Sequence, residues 1–223
     1  RVHVVPGYDR LFLLTNEGAP NFRVQVLGTF ETDFSERRDF IPEAQPVIGE
    51  YNILGGEGSI GVTKNYLLIH AIVEGGSALK VYNLDGTYRH SLTLPGAGQV
   101  SHLVVNRADE TVSFHFESPL HAIQVMQGNL VTGKVTSIHD VDPLIDPEGY
   151  LMERITFDST DGARPTMVVV RPKNKPLDGT TRMLVHAYAS GGSAKLPEFR
   201  SEHAAWLEAG GAIAFVQARG GGE

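Results

Sequence analysis

Tyr188-Ala-Ser-Gly-Gly192 sets a phenol, a hydroxyl and two glycines directly after the apolar run Met183-Leu-Val-His-Ala187. Loops at the carboxyl ends of strands in an α/β sheet are where ligands bind. A tyrosine hydroxyl held there can donate a hydrogen bond to a developing oxyanion, a sizeable effect in acyl transfer. Taken by itself, Tyr188 is more simply an amphipathic tyrosine at a strand end before a glycine turn. Arg219-Gly220-Gly221-Gly222-Glu223 stands in the same relation to the run Ala212-Ile-Ala-Phe-Val216. Three successive glycines make either a loose tail or a turn with dihedrals that other residues avoid. One Arg-Gly-Gly in an acidic chain carries negligible weight as a nucleic-acid segment.

A hydrolytic serine would be announced by G-x-S-x-G on a strand-to-helix turn. Glu57-Gly-Ser59-Ile-Gly61 has Glu where the first glycine belongs, and Gly75-Gly-Ser77-Ala-Leu79 and Gly191-Gly-Ser193-Ala-Lys195 lack the last one. All three read as Gly/Ser loops. The nine histidines are scattered, and His70, His115 and His121 fall in strand patterns as packed or edge residues. Asp140, Asp142 and Asp146 in "HDVDPLIDPE" lack the glycine and terminal glutamate of a calcium loop and read as an acidic linker. No metal site and no cofactor are expected.

The elements that must position Tyr188 and Arg219 change character near residue 150. Before it, short apolar runs alternate with turn residues: Arg10–Thr15, Phe22–Leu27, Asn65–Val73, Ala78–Asn83, Tyr88–Leu94, Val100–Val105, Thr111–Phe116 and His121–Met126. Asp85-Gly86, Pro95-Gly-Ala-Gly98 and Gly128-Asn129 read as turns. Strands at roughly 8–12-residue spacing suggest a sandwich or a propeller, here about three blades of four strands, which do not close a ring. After residue 150, Glu153–Asp158 and Pro165–Val170 form a hairpin, and Met183–Ala187 reads as a buried strand. Ser201–Ala209 is a helix with Ser201 as N-cap and Gly210-Gly211 as its stop, and Ala212–Val216 is the next strand. Strand, helix and strand over about 35 residues make a βαβ unit, the start of an α/β layer. The expected fold is therefore mixed, with residues 1–147 β-rich, as a sandwich or part of a β-propeller, and residues 148–223 as an incomplete α/β domain.

Composition limits the partners. The 223 residues are 41% hydrophobic and 20% charged, with a formal net charge of -7. That balance argues against a nucleic-acid binder working through a basic surface. The one basic cluster, Glu36-Arg37-Arg38-Asp39, is flanked by acids and reads as a solvated loop. There is no apolar run near 18 residues, so no membrane-spanning helix is expected. Zero cysteines fit a reducing compartment, the cytoplasm, with the periplasm as the alternative. The first residues carry neither a signal-peptide layout nor an initiator methionine, so residue 1 is not expected to be a natural N-terminus.

In order, these motifs resemble the prolyl oligopeptidase family of serine peptidases. "TNEGAPNFRVQV" (Thr15–Val26), "VYNLDGTYRHSLTLPGAGQV" (Val81–Val100) and "FHFESPLHAIQV" (Phe114–Val125) are similar to its propeller segments. "FDSTDGARPTMVVVRPKN" (Phe157–Asn174) and "HAYASGG" (His186–Gly192) resemble the opening of its hydrolase domain. "WLEAGGAIAFVQARGGGE" (Trp206–Glu223) is the most specific match. The resemblance implies a seven-bladed-type propeller capping an α/β-hydrolase domain, cut here to about three blades and the first hydrolase strands. It also implies acyl-enzyme hydrolysis of short peptides, with Ser, Asp and His lying beyond residue 223. Tyr188 falls on the family's oxyanion tyrosine, and Arg219, Gly220, Gly221, Gly222 and Glu223 fall on a turn that borders and supports the active site. The family's aromatic residue after that tyrosine, part of its proline pocket, has no counterpart in Tyr188-Ala-Ser-Gly-Gly. The implied partners are a short peptide substrate and the remainder of the same enzyme, with no nucleic acid and no membrane. Two other readings remain open: a non-catalytic propeller binding module, and an acylaminoacyl-peptidase or esterase relative on the same scaffold.

Overall fold

The computed structural model describes residues 2–44, 48, 59–139, 141–176, 178–188, 190 and 194–219. Three successive four-stranded antiparallel meanders come first, each pairing its strands in chain order. The first contains β1 (Val2–Pro6), β2 (Arg10–Thr15), β3 (Arg23–Gly28) and β4 (Arg38–Ile41). The second contains β5 (Ile60–Val62), β6 (Tyr66–Val73), β7 (Gly76–Asn83) and β8 (Tyr88–Ser91). The third contains β9 (Gln99–Asn106), β10 (Thr111–Ser118), β11 (His121–Asn129) and β12 (Val135–His139).

The residue pattern of β6 explains how these sheets stack. Its run Leu67-Leu-Ile-His-Ala-Ile72 is buried without alternation. Leu67 and Ile69 join Phe12, Val24 and Val26 of the first sheet in one core. Leu68 joins Val112, Phe114 and Phe116 of the third sheet in another. A strand covered on both faces loses its polar alternation, and the one polar residue of the run, His70, is buried with Nε2 2.9 Å from Ser77 Oγ. β10 instead alternates, burying Val112, Phe114 and Phe116 and leaving Thr111, Ser113 and His115 partly open.

A fourth, mixed sheet follows, in the order β13 (Tyr150–Thr156), β14 (Thr166–Pro172), β16 (Ala212–Gln217), β15 (Met183–Tyr188). β13, β14 and β16 pair antiparallel, whereas β15 and β16 run parallel. The helix α1 (Ser201–Glu208) makes the crossover and buries Ala204 and Leu207 against Val170, Ile213 and Phe215. It stops where Gly210 takes φ +84°, a conformation that costs glycine little. Trp206 then lies flat on Gly211, with Nε1 donating to the Ala212 carbonyl at 2.9 Å.

Several local expectations are corrected. Ser201 does not cap α1: Arg200, in extended conformation, holds the cap position, and the Ser201 hydroxyl points to Glu202 Oε2. Gly128-Asn129 is not a turn but the end of β11, because that strand passes close to its neighbour. A β-carbon on Gly128 would lie 2.5 Å from Leu92 Cδ1. Arg38 and Asp39 belong to the strand β4 rather than to a loop, with Gln25 Nε2 donating to Asp39 Oδ1 at 2.9 Å. An edge strand carries charges for the same reason a loop does, namely contact with water. β15 was expected to be buried, yet it forms one edge of the sheet and exposes Met183, Leu184 and Val185.

The second meander touches the mixed sheet through its β6–β7 hairpin. Glu74 and Gly75 form the two-residue turn, both at positive φ. The Arg154 guanidinium on β13 donates to the Glu74 carbonyl through Nε and to the Glu74 carboxylate through Nη1. Ile72 packs on Ala194 and Leu196 beside the same hairpin. From the third meander, the Glu117 carboxylate accepts the Phe199 N–H at 2.9 Å. Among the described residues no helix is long and apolar enough to cross a membrane.

Candidate active site

The parallel pairing of β15 with β16 brings the two sequence-selected stretches together. Tyr188 ends β15 opposite Gln217, and Arg219 lies two residues beyond Gln217. Because β14 runs antiparallel to β16, the turn between β13 and β14 reaches the same end of the sheet. There the Arg219 guanidinium pairs with the Asp161 carboxylate. A hydrogen bond from the Ser159 hydroxyl, followed by that guanidinium, lowers the Asp161 pKa to about 2. Asp161 was not singled out from the sequence. The signal available for it was Ser159-Thr-Asp-Gly162, whose acidic residue sits where the arginine can reach it.

Tyr188 is 53% exposed. Gln217, its partner across the ladder, is buried instead. Its Nε2 donates to the Lys195 carbonyl at 2.6 Å, and its Oε1 has no hydrogen-bond partner among the described residues. Gly220, Gly221, Gly222 and Glu223 lie outside the described residues, as do Ala189 and Gly191–Ser193.

Beneath this sheet end two imidazoles face one another, His186 of β15 and His203 of α1, with ring centroids 4.7 Å apart. His186 also stacks on Phe215. Burial lowers both pKa values. His186 Nε2 and His203 Nδ1 are buried without a hydrogen-bond partner among the described residues.

Of the serines in near-miss motifs, Ser193 lies outside the described residues and Ser59 is buried. Ser77 lies 2.9 Å from His70 Nε2, a separation suited to a nucleophile and its base. That pair is sealed inside the second meander, with Ser77 Oγ also accepting the Val100 N–H. It fastens β7 to β9 and meets no substrate. Among the described residues no group of three metal-ligating side chains occurs. A cavity of about 710 Å³ is an open groove lined by Tyr150, Lys173, Leu207 and Glu208. It lies at the opposite end of the mixed sheet from Tyr188, where Pro172 and Gly210 meet.

Stacked four-stranded meanders without a closed barrel define a chain of the β-propeller class, joined here to a mixed sheet bearing the Tyr188–Arg219 end. The family described as "Prolyl oligopeptidase, N-terminal beta-propeller domain" matches residues 1–140. The chain belongs to the prolyl oligopeptidase family. It is similar to the prolyl endopeptidase of Elizabethkingia meningoseptica, 26% identical over 216 residues, a match covering 96% of this chain and 29% of that protein. It is also similar, at 21% identity, to the dual function macrocyclase-peptidase POPB of Galerina marginata, with 96% and 29% covered. A solved structure from a structural and mechanistic study of two prolyl endopeptidases matches with a TM-score of 0.85 and 28% identity. That match covers all of this chain and 32% of the solved one. Prolyl oligopeptidase B of Galerina marginata, bound to a 25mer macrocyclization substrate, shares the fold at a TM-score of 0.82 and 18% identity, over 99% and 30% of the two chains. The chain thus spans less than a third of the length of the relatives it matches.

Proposed function

We propose that this chain is the part of a prolyl-oligopeptidase-type serine peptidase in which the last propeller blades, residues 1–147, meet the first strands of the hydrolase domain, residues 148–223. Tyr188 and Arg219 at the carboxyl ends of two adjacent parallel strands carry this reading. The β15 edge supports it too, since its exposed Leu184 and Val185 suit a sheet that continues.

In the complete enzyme a serine beyond Glu223 attacks the scissile carbonyl of a short peptide, a histidine takes its proton, and an aspartate orients that histidine. Charge moves onto the carbonyl oxygen as the tetrahedral intermediate forms. The Tyr188 hydroxyl donates to that oxygen, which stabilises the transition state more than the bound substrate. Arg219, tied to Asp161, has a supporting role at the active site, as do Gly220, Gly221, Gly222 and Glu223 of the same motif. The propeller acts as a size filter and contributes no chemistry. The enzyme acts in the cytoplasm and needs no cofactor.

A fluorophosphonate probe tests the reading. The full-length polypeptide should label and should hydrolyse short peptides, whereas the 223-residue chain should do neither. A full-length polypeptide that fails to label would instead be a propeller binding module with a non-catalytic sheet. Faster turnover of esters or acylated peptides than of free peptides would mark the esterase or acylaminoacyl-peptidase relative.

A further inference from the structure

Gln217 is placed unlike any other polar residue of the mixed sheet. It is 4% exposed at the last position of β16, where a strand end ordinarily meets solvent. Parallel register sets it directly across from Tyr188, and paired residues project to the same face of a sheet. Its Nε2 reaches across that face to the Lys195 carbonyl, in the segment that leaves Tyr188 and returns toward α1. Ala194 and Leu196, on either side of Lys195, are packed on Ile72 of the second meander. The tip of the same meander lies close to Gln217, leaving no more than van der Waals room for a side chain: a β-carbon at Gly75 would lie 3.4 Å from Gln217 Cγ and 3.3 Å from Val168 Cγ2. The tip is held down by Arg154, which grips both the carbonyl and the carboxylate of Glu74.

We propose that Gln217 is a positioning residue for Tyr188. Its amide ties Lys195, in the stretch between Tyr188 and α1, to the strand paired with the tyrosine, and the propeller hairpin Glu74-Gly75 lies beside that amide. This rests on the oxyanion role given to Tyr188 above. An oxyanion donor works only when already aimed at the place where charge appears, so a chain that wanders by about 1 Å costs rate rather than affinity. Gln217 touches neither substrate nor reacting atoms.

The experiment is a double-mutant cycle in the full-length enzyme, with kcat and KM measured on a short peptide. Gln217→Met keeps the volume and removes the donor, and should lower kcat about 10- to 100-fold with KM little changed. In a Tyr188→Phe background the same substitution should change kcat less than about twofold, because a group acting through Tyr188 has nothing left to aim. Equal losses in both backgrounds, or an unchanged kcat in the single variant, overturn the proposal and leave the oxyanion role standing. A Tyr188→Phe variant with full kcat removes the role itself, and the proposal with it. Gln217→Glu separates positioning from a folding defect. A protonated carboxyl can donate to the Lys195 carbonyl and an ionised one cannot, and burial raises the pKa of such a group. Its kcat, divided at each pH by that of the unsubstituted enzyme, should therefore rise as pH falls. A ratio that does not move with pH also overturns the proposal.

Discussion

The His70 imidazole sits inside β6 with Nε2 2.9 Å from Ser77 Oγ, and burial lowers its pKa to about 4. In the unfolded chain the ring titrates near 6.5. A depressed histidine pKa means that its contribution to stability is complete above pH 6.5 and is lost as the pH falls toward 4. The loss should be on the order of 3 kcal/mol. Urea unfolding between pH 7 and pH 4.5 should show the midpoint dropping, and His70→Gln should flatten that part of the curve. At the proposed active site, Asp161 reports on Arg219. Its carboxyl, held near 2 by Ser159 and then Arg219, contributes stability above its ordinary 3.8 that is lost as pH falls toward 2. An Arg219→Ala variant should move the Asp161 titration upward when followed by carbon NMR, without restoring 3.8, since Ser159 remains.

At the scale of elements, the glycines that matter are those where strands pass closest. A β-carbon on Gly98 would fall 2.2 Å from the Glu117 carbonyl oxygen and 2.7 Å from the Phe116 ring. Gly98 also accepts the Ser77 N–H, so the second and third meanders meet at its backbone. Gly98→Ala should cost about 2–3 kcal/mol, visible as a lowered thermal midpoint. Strands with internal alternation or with firm turn signals were legible in the sequence: β2 and β10 by their apolar residues, the β7–β8 turn by Asp85-Gly86. β4 and β12 were not, because solvent-facing edge strands rich in charged or polar residues lack a clear apolar pattern, and β1 was not, because its valines are only half covered and a proline ends it. Gly128 misled for the opposite reason: a glycine needed for close packing has the same letter as one needed for a turn. Tyr188 and Arg219 were legible through motif order, whereas Gln217 and Glu74 were not. Their importance comes from which residues the fold sets against them, and no spacing along the chain records that.

At the scale of the whole molecule, the open edge of β15 is the feature with most consequence. Its outer backbone, unpaired among the described residues, and its exposed Leu184 and Val185 form a template for another strand. The 223-residue chain should therefore self-associate. Val185→Lys should shift it toward monomer in sedimentation velocity, with its thermal midpoint nearly unchanged. In the full-length enzyme, where the proposed sheet continues past β15, the same substitution should lower the midpoint. Among the described residues, propeller and mixed sheet are linked by Arg154 on the Glu74 hairpin tip, by the Glu117 carboxylate on the Phe199 N–H, by Ile72 against Ala194 and Leu196, and by Leu120, which shares a buried core with Val170 and Phe215. Exposed ion pairs contribute about 1 kcal/mol or less, so Glu74→Ala should leave overall stability nearly intact. Its effect should appear in turnover, through the Gly75–Gln217 contact.

The central claim is that this chain supplies an oxyanion donor to a serine peptidase. The most direct measurement is kcat of the full-length Tyr188→Phe variant on a short peptide, with KM determined alongside. A loss of about 10²–10³ in kcat with only a modest change in KM is the predicted result. A kcat equal to that of the unsubstituted enzyme would contradict it.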